Sequence, residues 1–121
     1  MSNEICVLVV DDELGMRETL VEILAESGYR VSSASDGESA LEAIRRNRFD
    51  VVVMDIRMPG RDGVSVLREV GDPPPRVILM TAYTRAEHIR EALEANAFAV
   101  VSKPFPVKDL LGLVASAASA V

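Results

Sequence analysis

Acidic residues end two strongly apolar segments of this chain. The segment Ile5–Val10 runs directly into Asp11 and Asp12, and the segment Val51–Met54 runs into Asp55. Both segments are rich in β-branched residues and lack polar alternation, which is typical of strands that helices cover on both faces. In an open parallel α/β sheet, ligands bind beyond the carboxyl ends of the strands. We therefore expect these carboxylates to lie where such a fold keeps its chemistry.

Two further polar groups follow later apolar segments. Thr81 follows Arg76–Met80, and Lys103 follows Phe98–Ser102. Taken alone, each strand-end residue is more often a turn or cap, and Thr81 is a fair candidate for a helix N-cap. Together, three carboxylates and one ammonium at one sheet edge carry a local charge of about -2, and clustered carboxylates repel unless they are protonated or bind a cation. The shared position favours a functional site.

The donor atoms of this cluster favour a hard divalent cation. The candidate ligands are oxygen atoms, and no Cys or His is placed to bind, which favours Mg2+ over Zn2+. A carboxylate beside Mg2+, with a lysine and a hydroxyl ready to hold oxygen atoms, is equipped to receive a phosphoryl group in line. Asp55, at the end of the central strand, is the predicted nucleophile.

The elements that must position these groups alternate between strand and helix. The predicted strands are Ile5–Val10, Arg30–Ala34, Val51–Met54 ending at Asp55, Arg76–Met80 and Phe98–Ser102. The first predicted helix covers about Leu14–Ser27, and the second follows Ser35-Asp36-Gly37 with Ala40, Leu41 and Ile44 on its inner face. The third is short and is marked by Val64, Leu67 and Val70, and the fourth covers Arg85–Ala95 with Ile89 and Leu93 inward. The fifth covers about Val107–Ala120, and its predicted buried residues are Leu110, Leu111, Val114, Ala117 and Ala118. This alternation predicts an α/β fold with a parallel sheet, right-handed crossovers and three layers.

Length and composition narrow the possible classes. The 121 residues predict one domain over residues 1–121, and the single cysteine, Cys6, is interpreted as a packing residue in a reducing compartment. No apolar run approaches the ~18 residues of a membrane span, and Glu4 stands where a signal peptide would be basic. We expect a cytoplasmic protein without membrane contact. The formal net charge of -6 argues against direct binding of nucleic acid by this domain.

The motifs, in their order along the chain, resemble those of response-regulator receiver domains. They are the acidic pair Asp11-Asp12, the segment MDIRMPGRDG around Asp55, the triplet MTA that contains Thr81, and the triplet KPF that begins at Lys103. The resemblance implies a doubly wound, flavodoxin-like (βα)5 fold with strand order 2-1-3-4-5. It also implies that Asp55 accepts a phosphoryl group from a histidine of a sensor kinase or from a phosphotransfer protein.

The resemblance further assigns roles to individual residues. The implied Mg2+ ligands, direct or through water, are Asp11, Asp12, Asp55 and the backbone carbonyl of Arg57. Thr81 and Lys103 would bind the phosphoryl oxygens, and the Lys103-Pro104 peptide bond would be cis. Arg57 and Tyr83 would flank the phosphoryl group and tune its lifetime. The domain would be a regulatory phosphoacceptor switch rather than a turnover enzyme, and would act through an effector domain, a partner or a homodimer.

Val100 departs from the family pattern. Receivers usually carry an aromatic residue three positions before the lysine, and that residue swings inward together with the threonine. A β-branched aliphatic side chain cannot make the same rearrangement. We hypothesise that Phe98, which period two places on the same strand face as Val100, or Tyr83, in the loop after Thr81, substitutes for the aromatic residue.

Two other classes fit the sequence less well. Mg2+-dependent phosphohydrolases also use a strand-end aspartate, but they usually place a second aspartate two residues later, where this chain has Arg57. A flavin or nucleotide binder would need Gly, Ser or Thr after the first strand, whereas Asp-Asp-Glu repels phosphate. Two further polar residues have structural interpretations: Asp62 as the cap of the third helix and His88 as a surface residue of the fourth.

Overall fold

Strands and helices alternate along the whole described chain. The computed structural model of the protein describes residues 4–82 and 86–119, without the side chains of Ala86 and His88. The strands are β1 (Cys6–Val10), β2 (Arg30–Ala34), β3 (Val51–Asp55), β4 (Arg76–Thr81) and β5 (Ala99–Ser102). The helices are α1 (Leu14–Glu26), α2 (Gly37–Arg46), α3 (Gly63–Leu67), α4 (Ala86–Glu94) and α5 (Val107–Ser119). No helix in these ranges is long and apolar enough to cross a membrane.

The strands form one parallel sheet in the order β2-β1-β3-β4-β5. The predicted strand order is therefore confirmed. Asp55 lies beside Met80, and Thr81 lies beside Ser102, so the carboxyl ends of β3, β4 and β5 fall at nearly the same level. β2 and β3 lie on opposite sides of β1, so the strand order changes direction between β1 and β3, and doubly wound folds bind their ligands in the crevice at such a point.

Each face of the sheet carries its own apolar cluster. The first cluster packs β-strand side chains such as Val52 and Met54 against α2, α3 and α4. The second cluster packs Val51 and Val53 against α1 and α5. All five residues of β3 are buried, which explains why its sequence is continuously apolar up to Asp55.

Aspartates cap the N-termini of α2 and α3. The Asp36 carboxylate accepts a hydrogen bond from the Ser39 backbone N–H at 2.7 Å, and the Asp62 carboxylate accepts one from Ser65 N–H at 2.7 Å. The bond from Ser39 lowers the pKa of Asp36 below its ordinary value. Both residues therefore act as the predicted N-caps, and they fix where α2 and α3 begin.

The inward face of α4 differs from the prediction. Leu93, predicted to point inward, is 52% exposed, whereas Ala92 is fully buried and Ile89 is partly buried. Spacings of three and of four residues both fit one helical face, so periodicity alone could not choose between Ala92 and Leu93. Ala92 is the smaller side chain and allows closer packing of the helix on the sheet.

Phe98 also lies elsewhere than predicted. It precedes β5 and packs with the α1/α5 cluster, whereas Val100 packs with the cluster on the opposite face. The strict alternation of faces holds only within a strand, so period two was wrong for a residue before the strand begins. Phe98 therefore does not replace the missing aromatic residue on the Val100 face, and the other candidate, Tyr83, lies outside the described residues.

The third helix is shorter than predicted. α3 ends at Leu67, and Glu69 N–H then bonds Val66 carbonyl at 2.9 Å, so the chain tightens into a turn and Val70 lies beyond the helix. In α5, Leu110, Val114 and Ala117 are buried as predicted, while the other two predicted residues are only partly buried. The predicted end of α5 at residue 120 and the predicted start of α4 at residue 85 lie outside the described residues.

Candidate functional site

Three carboxylates converge at the carboxyl end of the sheet, between β1 and β3. Asp11 is fully buried, Asp55 is 9% exposed and Asp12 is exposed. One carboxylate oxygen from each lies within 4.8 Å of the others, which is close enough for all three to hold one metal ion. The structure thus brings together the three acidic residues that were predicted to meet because each follows a strand.

Lys103 is the positive charge at the centre of this cluster. Its Nζ donates to Asp55 Oδ2 at 2.9 Å and to Asp11 Oδ2 at 3.1 Å. Burial alone would lower the pKa of the ammonium, but the hydrogen bonds and charges of Asp55 and Asp11 together raise it above its ordinary value of 10.5. Lys103 therefore stays protonated and balances part of the negative charge.

Backbone amides hold the other oxygen of each buried carboxylate. Glu13 N–H donates to Asp11 Oδ1 at 3.0 Å, and Arg57 N–H donates to Asp55 Oδ1 at 3.1 Å. Each carboxylate is thus fixed on one side by the amide two residues later and on the other side by Lys103. This arrangement presets the orientation of both carboxylates before any ligand arrives.

Thr81 and Lys103 are joined through the backbone at the ends of β4 and β5. Thr81 is fully buried, and its carbonyl accepts a hydrogen bond from Lys103 N–H at 2.7 Å. The Lys103-Pro104 peptide bond is cis, which confirms the expectation from the resemblance. Arg57 is exposed, and Tyr83 lies outside the described residues.

Two arginines that the sequence interpretation missed support the loops of the site. Arg17 of α1 donates from Nη1 to the Asp11 carbonyl at 2.8 Å. Arg61 bonds Ser65 Oγ at 2.8 Å and forms ion pairs with Glu38 and Glu69. The role of Arg17 could have been predicted, because this arginine lies one turn into the helix that follows the acidic pair. The contacts of Arg61 could not, because they connect residues of separate elements.

Removing the Lys103 charge is expected to destabilise the protein, because Asp11 and Asp55 would lose their shared counter-ion. We expect Lys103→Met to lower the free energy of unfolding by about 2 to 3 kcal/mol in metal-free buffer, and added Mg2+ to restore part of the loss. Urea unfolding with and without Mg2+ measures both effects. Lys108→Met, at an exposed position of α5, is the control and should change stability by less than about 0.5 kcal/mol.

The same contact has a pH signature. The pKa of Lys103 is raised in the folded state, so its stabilising contribution is fully present below the unfolded-state pKa and is lost as the pH rises through the folded-state value. The wild type should therefore lose stability faster than Lys103→Met above about pH 10. Parallel curves for the two proteins would contradict the ion-pair assignment.

The comparisons with known proteins agree on one family. The profile of the response regulator receiver domain matches residues 7–115. Sporulation initiation phosphotransferase F of Bacillus subtilis is 37% identical over 106 residues, which cover 86% of each chain. Transcriptional regulatory protein PdtaR of Mycobacterium tuberculosis is 35% identical over 115 residues, which cover 93% of this chain and 56% of PdtaR. Regulatory protein AtoC of Escherichia coli is 42% identical over 86% of this chain, which spans 23% of AtoC.

Solved structures of the same fold superpose on nearly the whole chain. A CheY-like receiver from Methanospirillum hungatei JF-1 gives a TM-score of 0.92 at 27% identity, covering 97% of this chain and 95% of that one. The CheX-CheY-BeF3-Mg2+ complex from Borrelia burgdorferi gives a TM-score of 0.86 at 29% identity, covering 93% of this chain and 87% of that one.

The chain belongs to the response regulator receiver domain family. It is a receiver of two-component signalling and thus a regulatory switch, and neither the phosphohydrolase nor the flavin-binding alternative is favoured.

Proposed function

We propose that Asp55 accepts a phosphoryl group from a phosphohistidine on a sensor kinase or phosphotransfer protein, and that residues 1–121 act as one receiver domain. The observation that carries this proposal is the setting of the Asp55 carboxylate. It ends the central strand, is 9% exposed, and is oriented by Arg57 N–H and Lys103 Nζ at 3.1 and 2.9 Å. A preset carboxylate at the open edge of the sheet is suited to in-line attack on phosphorus.

The residues around Asp55 fit a Mg2+ ion. Three carboxylates supply hard oxygen ligands within 4.8 Å of one another, and the exposed Asp12 leaves room for water. The proposed ligands are Asp11, Asp12, Asp55 and the backbone carbonyl of Arg57. When bound, Mg2+ would neutralise charge on the phosphoryl oxygens and help to orient them.

The protein groups that take part in the transfer all lie at this sheet edge. An Asp55 carboxylate oxygen forms a bond to phosphorus while the bond from phosphorus to the donor imidazole nitrogen breaks, and that nitrogen keeps the electron pair. Lys103, already 2.9 Å from Asp55, contacts one phosphoryl oxygen, and the Thr81 hydroxyl holds another. The domain thereby catalyses its own phosphorylation and, with water as the attacking group, its own slow dephosphorylation.

The chemical step becomes a signal through the charge on Asp55. Phosphorylation changes that charge from -1 to about -2 and adds acceptor oxygens, which draw Thr81 toward the site. Val100 packs with Ala92 and Ala95 in the cluster beneath α4, so a shift at the end of β4 reaches α4 through this aliphatic contact. The signal then passes to an effector domain, a partner protein or a second copy of the domain.

The names of the curated relatives bear on the output that this receiver controls. The chain spans 56% of PdtaR and 23% of AtoC, and both relatives are named as regulatory proteins. We infer that this receiver controls a regulatory output of that kind, and that direct contact with nucleic acid belongs to another module because the domain carries a formal net charge of -6.

Phosphorylation by a small phosphodonor tests the proposed function. The protein should gain one phosphoryl group, read by intact mass, when incubated with acetyl phosphate and Mg2+. Chelation of the metal should reduce the rate by at least about a hundredfold, because the phosphoryl charge would then face three carboxylates. Circular dichroism under both conditions checks that the fold is retained. Equal incorporation without metal would refute the Mg2+ requirement, and no incorporation with metal would refute the phosphoacceptor assignment.

A further inference from the structure

An open basic groove lies at the end of the sheet opposite to Asp55. Its walls are the C-terminal end of α2 with the loop at residues 47–50, and the proline segment at 73–75 before β4. The groove has a volume of about 800 Å3. It contains none of the residues assigned to the phosphoacceptor site, so its chemistry is separate from phosphoryl transfer.

The charge of this groove is opposite to that of the whole chain. Four arginines line it, against the single carboxylate of Asp50, in a protein with a formal net charge of -6. The four arginines are Arg45, Arg46, Arg48 and Arg76. Asp50 Oδ2 accepts a hydrogen bond from Cys6 N–H at 2.9 Å, which occupies part of its acceptor capacity inside the protein. The groove therefore carries local positive charge and is suited to bind a negatively charged group.

Some of these guanidinium groups are available to a ligand. Arg45 and Arg48 are exposed, and the guanidinium group of neither makes a hydrogen bond or ion pair with any other residue of the described ranges. Arg46 pairs with Glu42 at 2.8 Å, but their side chains are 73% and 61% exposed, so water screens this pair and a ligand can replace it. Placement at the end of α2 satisfies the helix dipole, but it does not account for Arg48, which lies beyond the helix.

The backbone of the groove is held in place before any ligand binds. Asp50 N–H donates to the Cys6 carbonyl at 2.9 Å, and Arg76 N–H donates to the Asp50 carbonyl at 3.0 Å. Three consecutive prolines restrict the opposite wall. Phe49 and Ile44 also line the groove; both are partly buried and offer an apolar surface beside the arginines. A ligand would lose little free energy in ordering such a surface.

We propose that this groove is a docking site for a short acidic segment of a partner protein. The planar guanidinium group of arginine binds a carboxylate through two parallel hydrogen bonds, and the apolar surface of Phe49 and Ile44 accommodates an apolar side chain between the acidic ones. A nucleic acid fits less well, because its extended phosphate chain would meet the net negative charge of the rest of the domain. Since Asp55 lies at the other end of the sheet, a docked partner leaves it accessible.

A labelled peptide rich in glutamate and leucine tests the docking site by fluorescence anisotropy. We expect saturable binding, absent when glutamine replaces the glutamates and weaker at about 0.15 M salt than at low salt. The double variant Arg45→Ala/Arg48→Ala should weaken binding by about tenfold, as expected for the loss of two exposed ion pairs. The matched control is Arg30→Ala/Arg90→Ala, which removes two exposed arginines of β2 and α4 and should bind like the wild type.

Several outcomes would overturn the docking site. They are no peptide binding, equal weakening by the two double variants, and tighter binding of a single-stranded DNA probe than of the acidic peptide. Phosphorylation by acetyl phosphate, measured on the Arg45→Ala/Arg48→Ala variant, should proceed at the wild-type rate. This readout shows that the variant is folded and separates failure of the docking site from failure of the phosphoacceptor assignment.

Discussion

Replacing Asp55 with asparagine should abolish phosphoryl incorporation while preserving the fold. The side-chain amide keeps the size of the carboxylate and still offers an oxygen to Arg57 N–H, which donates at 3.1 Å in the wild type. It carries no nucleophilic oxygen anion, and it no longer attracts Lys103, now at 2.9 Å. We expect no mass increase with acetyl phosphate and Mg2+, a loss of at least about a thousandfold in rate.

Asp62→Asn is the matched control for this experiment. Asp62 caps α3 through a 2.7 Å bond from Ser65 N–H, and asparagine is an equally good N-cap, so its fold and its labelling should match the wild type. Urea unfolding of both variants checks that neither loses structure. Phosphorylation of Asp55→Asn at the wild-type level would mean that another residue is the acceptor, and peptide mapping of the labelled protein would then identify it.

The sequence predicted most of the fold because the three central strands, β1, β3 and β4, are buried on both faces. The continuously apolar runs Val51–Met54 and Val77–Met80 predict strands, and the helical periodicity between the strands requires parallel crossovers. Strand order came from the family resemblance, since apolar runs do not reveal which strands are neighbours. The errors at Leu93 and Phe98 both come from relying on local periodicity. For Leu93, periodicity does not determine how the helix is rotated about its axis, and for Phe98 it does not show where the regular alternation of the strand begins.

The candidate site was predictable in its residues but not in its contacts. Asp11, Asp55 and Lys103 could be named because each ends a strand. The bonds from Lys103 to Asp11 and Asp55 connect positions 92 and 48 residues apart, and only the folded sheet determines which oxygens they use. The hydrogen bonds from the backbone amides of Glu13 and Arg57 could not be predicted either. Nearly every residue carries such a donor, and the sequence does not indicate which one points at a carboxylate.

Gly63 shows how closely the backbone packs beneath the site. A Cβ at this position would lie 2.7 Å from the Asp55 carbonyl oxygen and 3.1 Å from both Ile56 Cα and a methyl carbon of Leu79. Gly63 N–H also donates to the Ile56 carbonyl at 2.7 Å, so the loop cannot move away without losing this bond. The requirement for glycine here is one of space, at the point where α3 begins beside the end of β3.

Gly63→Ala is therefore expected to destabilise the protein by about 2 to 3 kcal/mol, because the added methyl group must displace backbone rather than a flexible side chain. It should also slow labelling of Asp55, whose own carbonyl is the group displaced. Gly112→Ala is the control, since nothing lies within 4 Å of its Cβ and alanine in α5 should stabilise the protein by roughly 0.5 to 1 kcal/mol. Urea unfolding then gives shifts of opposite sign for the same chemical change. If the two midpoints moved together, close packing at Gly63 would not be what holds the end of β3 in place.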